Sequence, residues 1–281
     1  MIETFLSVKW ALEPNFHNRT AALALERLAS GKAPFQIRER QDPYLVEASG
    51  EGGNLEGSGE SVPTADNVLV LPIIGTMTRY GGLCTYGTEH YAQWINEANA
   101  EDSIKAIVLE LNSPGGQVDG TEYLGEVVRQ SKKPVVAWVA GMAASAAYWV
   151  ASQAAHVMVE SETSSEVGSI GVLAWHVDAS AKYEKDGYKI KIIRAVGSTD
   201  KALFNDVEPL SEEVEAQERE ALNNIRDKFI SVVQSGRPAI SIKEVETGKM
   251  FPGKEAIRLG MADSVGFLRD AVELALALAA A

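Results

Sequence analysis

The sequence predicts an α/β fold in which a mostly parallel β-sheet is flanked by helices. Two observations carry this prediction. From residue 67 onward, short apolar runs alternate with segments that repeat apolar side chains every three to four residues. The short runs are apolar throughout rather than alternating with polar residues, which is typical of parallel strands covered on both faces.

The predicted elements follow one another in a regular order. The predicted strands cover residues 67–73, 106–112, 134–140, 156–160, 172–177 and 189–195, and the predicted helices cover 87–100, 119–131, 145–155 and 211–235. The strands are rich in β-branched residues, which favour extended backbone. The last helix is acidic, and its apolar residues keep a period near 3.6, as Leu222, Ile225, Phe229 and Val232 show.

The chain divides into four predicted parts. With 281 residues it is long enough for one large domain or two small ones. Residues 1–44 are predicted to form a partly helical N-terminal arm. Residues 45–66 are predicted to form a flexible acidic linker, because their Gly, Ser and Glu residues bury too little surface to become ordered. Residues 67–268 form the main domain, and 269–281 form a C-terminal helix that packs rather than anchors.

Charge and composition exclude several classes of partner. The formal net charge of −13 argues against nucleic acid and against docking on an anionic membrane, since both need a basic face. No run reaches the ~18–20 apolar residues that span a bilayer, and the N-terminus lacks a secretory signal pattern. The single cysteine, Cys84, suits a reducing compartment, so a cytoplasmic location is expected. Metal-ligand spacing and a phosphate-binding loop are both missing from the sequence, so no cofactor is expected.

A glycine-rich turn is the first candidate for chemistry. Residues 112–116 read Asn-Ser-Pro-Gly-Gly and lie between a predicted strand and a predicted helix. Proline fixes one φ angle, and glycines adopt angles that are closed to other residues. Such a turn can present bare N–H groups to a developing oxyanion. Taken alone, the motif is equally typical of a tight structural turn.

A serine among small residues is the second candidate. Ser145 stands within Gly-Met-Ala-Ala-Ser-Ala-Ala-Tyr-Trp, residues 141–149, at the start of a predicted helix. A serine in this place can cap the helix. It can also be a nucleophile whose neighbouring N–H stabilises a tetrahedral intermediate. Taken alone, the pattern favours the cap.

The two motifs together resemble the Clp protease and signal peptide peptidase A families, which implies a crotonase-like (ClpP-like) fold. The resemblance also implies that both motifs lie at the carboxyl ends of neighbouring strands, where open α/β sheets place their sites. Clp proteases carry a histidine base in the segment matching residues 164–172, and this chain has none there. The sequence Gly-Ser-Ile-Gly-Val at 168–172 instead resembles signal peptide peptidase A, in which the matching serine, Ser169, positions a catalytic lysine.

That family's lysine follows a later glycine, and Lys201 occupies the matching place. Three residues separate it from Gly197, where many members have two, so this match is looser than the others. Residues 248–251 and 253–263 resemble the family's closing motif, so that the resemblance covers residues 67–268.

The resemblance implies a serine peptidase that works through a Ser/Lys dyad. Ser145 would attack the scissile carbonyl while Lys201 takes its proton, and Ser169 would orient Lys201. The backbone N–H groups of Gly116 and Ala146 would hold the oxyanion. A lysine that acts as a base needs its pKa lowered toward ~7–8, which apolar surroundings can achieve.

Histidine offers one rival base. His176 lies in a predicted strand with Trp175 and Asp178 nearby, and a structural histidine with its hydrogen bonds satisfied is the favoured interpretation. The other three, His17, His90 and His156, are not arranged as a catalytic triad with Ser145.

Several roles remain open at this point. The soluble arm and linker resemble the head maturation proteases of phages and prophages, which implies scaffold, portal or capsid proteins as partners and the host cytoplasm or procapsid as location. A cytosolic peptidase that degrades signal peptides or other peptides is the alternative. The resemblance also implies a ring-like homo-oligomer. A CoA-dependent crotonase-type enzyme and a non-catalytic scaffold complete the alternatives.

Overall fold

The computed structural model describes residues 10–12, 30, 40–47, 66–82 and 85–281. Most of the predicted arm and linker, including the predicted arm helix, lies outside these residues, and so does Cys84. One boundary differs from the prediction. Residues 44–47 form a strand that pairs with the first strand of the main domain, so residues 45–47 belong to the sheet rather than to a linker. The side chains of Tyr44, Leu45 and Val46 explain this, since they pack against the two cores of the main domain.

The described elements alternate between strands and helices along the chain. The strands are β1 (Trp10–Leu12), β2 (Tyr44–Glu47), β3 (Asn67–Ile74), β4 (Ile104–Ser113), β5 (Gly115–Gln117), β6 (Val135–Ala144), β7 (His156–Val159), β8 (Glu166–Gly168), β9 (Met250–Pro252) and β10 (Ser264–Val265). The helices are α1 (Thr88–Ala100), α2 (Thr121–Arg129), α3 (Ala146–Ala151), α4 (Ser180–Lys185), α5 (Glu212–Gly236), α6 (Ile242–Val245), α7 (Gly253–Arg258) and α8 (Leu268–Ala279).

The main sheet is mostly parallel, as the sequence predicts. Its strand order is β10-β7-β6-β4-β3-β2, and β8 lies beside the carboxyl end of β6 with β9 on its far side. The pairs β3–β4, β4–β6, β6–β7, β6–β8 and β7–β10 are parallel, whereas β2–β3 and β8–β9 are antiparallel. The carboxyl ends of β4, β6 and β8 therefore meet at one edge of the sheet.

Both faces of the sheet are buried, which explains the apolar runs. Side chains at alternate positions of β3, such as Leu69 and Leu71, pack toward the larger core, and Val68 and Val70 pack toward the smaller one. The smaller core lies beneath α8, where Ala271, Val272 and Ala275 are buried. The predicted C-terminal helix is thus present as a packing helix. Among the described helices, none is both long enough and apolar enough to cross a membrane.

The long acidic helix α5 is present and is capped at its start. The hydroxyl of Ser211 accepts a hydrogen bond from the N–H of Val214 at 3.3 Å, and three glutamates occupy the first turn. Negative charge near a helix N-terminus is stabilising because it is attracted to the positive end of the helix dipole. Phe229 of α5 is fully buried and stacks on Trp149 of α3, with ring centroids 4.6 Å apart.

Two predicted strands are wrong. Residues 172–177 form no strand, with a single β-bridge at Leu173, and residues 189–195 are irregular, with Ile193 85% exposed. A strand needs a partner for its backbone groups. The side of β8 that faces away from β6 is already paired with β9, so this edge offers the two segments no place. The predicted helix 145–155 is also shorter than expected, since α3 ends at Ala151.

Candidate active site

Ser145 lies at a sharp turn between β6 and α3. Its backbone has φ 56° and ψ −116°, which residues with a side chain rarely adopt. Its N–H donates to the carbonyl of Gly168 at 2.8 Å, and its carbonyl accepts from the N–H of Trp149 at 2.8 Å. Backbone strain of this kind persists only where the surroundings enforce it, and it is concentrated at functional sites.

The side chain of Ser145 does not cap the helix that follows. Among the described residues its Oγ has no capping bond to α3, and it donates to the carbonyl oxygen of Gly171 at 3.4 Å. Of the two interpretations that the sequence left open, the geometry therefore disfavours the cap. A strained strand-to-helix turn is also how α/β-hydrolases present a nucleophilic serine.

The small residues around Ser145 are required by packing. Ala143, Ala144, Ala146 and Ala147 are all fully buried, at 0% exposure. Protein interiors are close-packed, so larger side chains here would displace the turn. The alanines thus hold the serine in its strained conformation.

The glycine turn is fixed to the sheet from two sides. The Oγ of Ser113 donates to the carbonyl of Gly75 at 2.6 Å and accepts from the N–H of Gly115 at 3.2 Å. Gly116 must be glycine, because a Cβ there would overlap the carbonyl oxygen of Met77. Met77 is a residue that the sequence motifs did not single out, since its contribution is made by backbone atoms alone.

Two backbone N–H groups near Ser145 are the ones that the resemblance assigns to an oxyanion. The N–H of Ala146 is at the first position of α3, where a helix offers no internal acceptor. The second belongs to Gly116. The turn lies beside the nucleophile because Ser113 pairs with Ala143 across β4 and β6, and because α3 packs against β5.

Ser169 follows β8 in the same way that Ser145 follows β6. Ala144 pairs with Gly168, so the two serines come one residue after paired positions on neighbouring strands. Ser169 is 4% exposed and has a positive φ of 54°. Its N–H donates to the carbonyl of Lys249 at 2.8 Å.

The closing motif acts as a support for the two serines. Residues 250–252 form β9, which pairs with β8, and the hydroxyl of Tyr148 in α3 donates to the carbonyl of Met261 at 3.0 Å. Burial raises the pKa of Tyr148 far above its ordinary value, so that it remains a neutral donor. The closing motif, residues 248–251 and 253–263, therefore holds both β8 and α3 in place.

Lys201 lies on an exposed turn of the irregular segment. Its side chain is exposed, and among the described residues its Nζ has no hydrogen bond or ion pair. The guanidinium of Arg194 holds this turn by donating to the carbonyls of Lys201 at 2.6 Å and Ala202 at 2.9 Å. Arg194 also pairs with Glu208 at 2.6 Å. The carboxylate of Asp200 accepts from the hydroxyl of Thr199 at 2.9 Å.

The predicted site residues thus fall into two groups. The structure brings Gly116, Ser145, Ala146 and Ser169 together at the carboxyl ends of β4, β6 and β8. It leaves Lys201 on an exposed turn held by Arg194, with no hydrogen bond among the described residues between its Nζ and Ser145 or Ser169. Within the described ranges, no cluster of His, Cys, Asp or Glu has the geometry to hold a metal ion.

His176 has the satisfied environment that the favoured interpretation requires. Its Nε2 lies 2.7 Å from the carbonyl oxygen of Asn205, and its ring packs edge-on against Phe204. It lies in the irregular segment rather than in a strand. Among the described residues, no hydrogen bond joins either ring nitrogen of His176 to Ser145, so the geometry gives no support to His176 as the base.

Comparison with known proteins places the chain among peptidases. The model of Peptidase family S49 matches residues 128–281, and the model of Clp protease matches residues 85–165. The first match covers more than half of the chain. The second agrees with the observed architecture, a ClpP-like mostly parallel sheet flanked by helices.

Three relatives illustrate the range of similar proteins. Protease 4 of Haemophilus influenzae is 27% identical over 198 residues, which cover 67% of this chain and 31% of that protein. Serine protease SPPA, chloroplastic, of Arabidopsis thaliana is 28% identical over 221 residues, covering 75% of this chain and 32% of that protein. Capsid assembly protease C of Escherichia phage lambda is 27% identical over 223 residues, covering 75% and 49%. The chain therefore spans half or less of the length of these three relatives.

The extent of the family match, the order of the motifs and the strained serine at the sheet edge agree with one another. This chain belongs to peptidase family S49.

Proposed function

We propose that this chain is a serine endopeptidase in which Ser145 is the nucleophile and Lys201 the general base. The observation that carries the proposal is the turn at Ser145. It holds a buried serine at a positive φ, beside the glycine turn and the N–H of Ala146, which has no acceptor within its own helix. That combination supplies a nucleophile and an oxyanion site within a few residues.

The proposed reaction is acyl transfer in two steps. Ser145 Oγ attacks the scissile carbonyl carbon and gives its proton to the neutral amine of Lys201. The oxygen that becomes negative is held by the N–H groups of Gly116 and Ala146. Lys201 then protonates the leaving amine, and water attacks the acyl-enzyme by the reverse route, returning Ser145 to its starting state.

The proposal places one geometric demand on the working enzyme. Lys201 Nζ must come within hydrogen-bond reach of Ser145 Oγ, roughly 2.6–3.2 Å, with Ser169 as its positioning partner. Residues 187–210 contain neither helix nor strand, so no ladder of backbone hydrogen bonds opposes a rearrangement of the turn. Contact with a substrate or with a second copy of the chain would cover the exposed Ile193 and Val196 on the same segment.

For the biological role we propose maturation of a phage or prophage capsid. The similarity to capsid assembly protease C, which covers 75% of this chain, supports this role. The substrates would be scaffold, portal or capsid proteins, and the enzyme would act as a ring-like homo-oligomer in the host cytoplasm or procapsid. A cytosolic peptidase acting on signal peptides or other peptides is the second candidate, supported by the similarity to the chloroplastic protease SPPA.

Substitution of the two dyad residues tests the peptidase proposal. Wild type, Ser145→Ala and Lys201→Ala would be compared for cleavage of unfolded casein from about pH 6 to about pH 10, with cut sites read by mass spectrometry. Two residues of the same irregular segment provide controls, Lys191→Ala at an exposed position and Ser198→Ala at a half-buried one. We expect the controls to cut like wild type, both dyad variants to be inactive though folded, and wild-type activity to rise with pH.

Other outcomes point to the remaining alternatives. Cleavage by Ser145→Ala at the wild-type rate would overturn the proposal, and hydration of a CoA thioester by that variant would identify a crotonase-type enzyme. If the wild type binds capsid or scaffold proteins but fails to cut them or to react with a fluorophosphonate probe, the chain is a non-catalytic scaffold.

A further inference from the structure

A short strand from the N-terminal part of the chain lies against the glycine turn. Residues 10–12 form β1 and pair antiparallel with β5, with Trp10 opposite Gln117, Ala11 opposite Gly116 and Leu12 opposite Gly115. These two strands form a sheet of their own, separate from the main sheet. The pairing joins residues that are more than a hundred positions apart in the sequence.

The backbone groups of β5 show which of its atoms face β1. The N–H of Met77 donates to the carbonyl of Gly115, and the carbonyl of Met77 accepts from the N–H of Gln117, both at 2.9 Å. Because successive residues of a strand direct their backbone groups to opposite sides, the N–H and C=O of Gly116 face the other neighbour. That neighbour is Ala11, so these two residues form the hydrogen-bonded kind of antiparallel pair.

This contact involves a group that the proposed reaction needs. The N–H of Gly116 is one of the two proposed oxyanion donors, and Ala11 lies opposite it. An extended peptide that adds to the side of β5 opposite Met77 would have to form the same backbone hydrogen bonds that β1 forms there. Substrate and β1 cannot both occupy that side of a three-residue strand.

We propose that Trp10–Leu12 is a built-in competitor that occupies the substrate-binding edge beside Ser145 until a peptide displaces it. The contact is an intramolecular one, so a weak strand pair is sustained by a high effective concentration. The strand uses backbone hydrogen bonds, which any extended peptide can replace. The segment would therefore raise the apparent KM for every substrate and leave the chemical step unchanged. Its description as a competitor of substrate rests on the proposed function, whereas the pairing of β1 with β5 does not.

Proline substitution separates this contact from other effects of the segment. Ala11→Pro removes the N–H that faces Gly116, so it breaks the pair. Leu12→Pro is the matched control, because the N–H of Leu12 faces away from β5 by the same alternation, and proline is tolerated at such positions. Circular dichroism would show that both variants keep the fold.

Binding is measured first, in full-length protein that carries Ser145→Ala so that nothing is cut. The probe is a fluorescein-labelled peptide of residues 5–16, FLSVKWALEPNF, followed by fluorescence anisotropy. We expect the Ala11→Pro protein to bind the peptide at least about five-fold more tightly than the protein with the native arm or the Leu12→Pro protein. A five-fold gain corresponds to an edge that β1 occupies about four-fifths of the time. Equal affinities in all three proteins would overturn the inference, and so would equal gains from both prolines.

Kinetics then distinguish this inference from the proposed function. With the native Ser145, Ala11→Pro should lower the KM for a fluorogenic peptide by the same factor and leave kcat unchanged. Serine-dependent cleavage with no change in KM or in affinity would refute the built-in competitor alone. A clear affinity gain in a protein that never cuts would refute the peptidase proposal and leave the occupied edge standing.

Discussion

The N–H of Ser145 donates to the carbonyl oxygen of Gly168 at 2.8 Å. This bond continues the parallel pairing of β6 and β8 by one residue and joins the strained serine directly to the residue before Ser169. The position of Ser145, which follows β6, therefore depends on β8 as well. A change at β8 or at its support β9 should act on Ser145 without touching it.

Ser169 can be tested as a positioning residue by a substitution that respects its backbone. Because its φ is 54°, glycine fits there without strain, and Ser169→Gly removes the CH2OH side chain with its hydroxyl while keeping the backbone conformation. We expect the fold to be kept and kcat to fall by about 10-fold or more, since a base that is poorly oriented loses part of its contribution. The alkaline rise of the activity profile should shift as well, which a purely structural role would not cause.

The control for this variant is Ser198→Gly, at a half-buried position of the irregular segment that carries Lys201. An unchanged pH profile for Ser169→Gly, with a lowered melting temperature, would show that Ser169 is structural only. The measurements are kcat across the pH range and thermal unfolding of both variants.

The close packing of the glycine turn predicts that the protein will not tolerate even an alanine at Gly116. In Gly116→Ala, the new Cβ would overlap the carbonyl of Met77, so that β5 must move away from Met77. We expect a loss of roughly 2–3 kcal/mol in the free energy of unfolding. Activity should fall about 100-fold or more, because one oxyanion donor is displaced. Gly82→Ala is the matched control, since its Cβ would have its nearest neighbour at 3.6 Å.

Chemical denaturation and casein cleavage would be measured on both alanine variants. Near-native activity of Gly116→Ala would argue that the turn does not form the oxyanion site, whatever its effect on stability. Equal losses in both variants would point to a general sensitivity of the chain to alanine.

The stacked pair Trp149 and Phe229 should be a main source of stability for the nucleophile helix. Phe229 is fully buried, and its removal leaves a cavity between α5 and α3. We expect Phe229→Ala to lower the free energy of unfolding by about 3–5 kcal/mol. Phe267→Ala removes an aromatic ring that is 66% exposed and should change it far less. Urea unfolding followed by tryptophan fluorescence would report both, and similar values for the two variants would contradict the role assigned to the stack.

Much of this architecture follows from local sequence. The strands β3, β4 and β6 and the helices α1, α2 and α5 were predictable because apolar periodicity and β-branched content agree with their environment. Residues 172–177 and 189–195 have similar composition, and they fail as strands because the neighbouring edge is already paired. Whether a sheet edge is free to pair is decided by the folded sheet, so it cannot be predicted from the local sequence pattern.

The candidate site was predictable to a similar degree. The motifs located Ser145, Ser169 and the glycine turn, since these need residue types that few other places require. The contributions of Met77, Gly171 and Lys249 were missed, because they are made by backbone atoms that any residue carries. The pairing of residues 10–12 with β5 leaves no signal in the motif series either. The exposed position of Lys201 likewise depends on the path of an irregular segment.

The pH dependence of stability should be governed in part by a cluster at the start of β7. Burial works to raise the pKa of Asp263, but a hydrogen-bonded ion pair with Arg237 and a bond from the N–H of Val157 hold it below its ordinary value. Burial lowers the pKa of His156, against the opposing effect of Asp263. The ring of His156 lies 2.7 Å from the hydroxyl of Ser264.

Both shifts make acid destabilising. The unfolded chain binds a proton at His156 more readily than the folded chain does, so stability falls as the pH drops below about 6.5. The unfolded chain also binds a proton more readily at Asp263, so a second loss begins near pH 4–5 and continues as the pH approaches the lowered pKa of the folded state. His156→Gln should flatten the first loss and Asp263→Asn the second, with the exposed Glu213→Gln as control. Melting temperatures at pH 8, 6 and 4 would test this, and a wild type that is equally stable at all three would refute the assignment of these two groups.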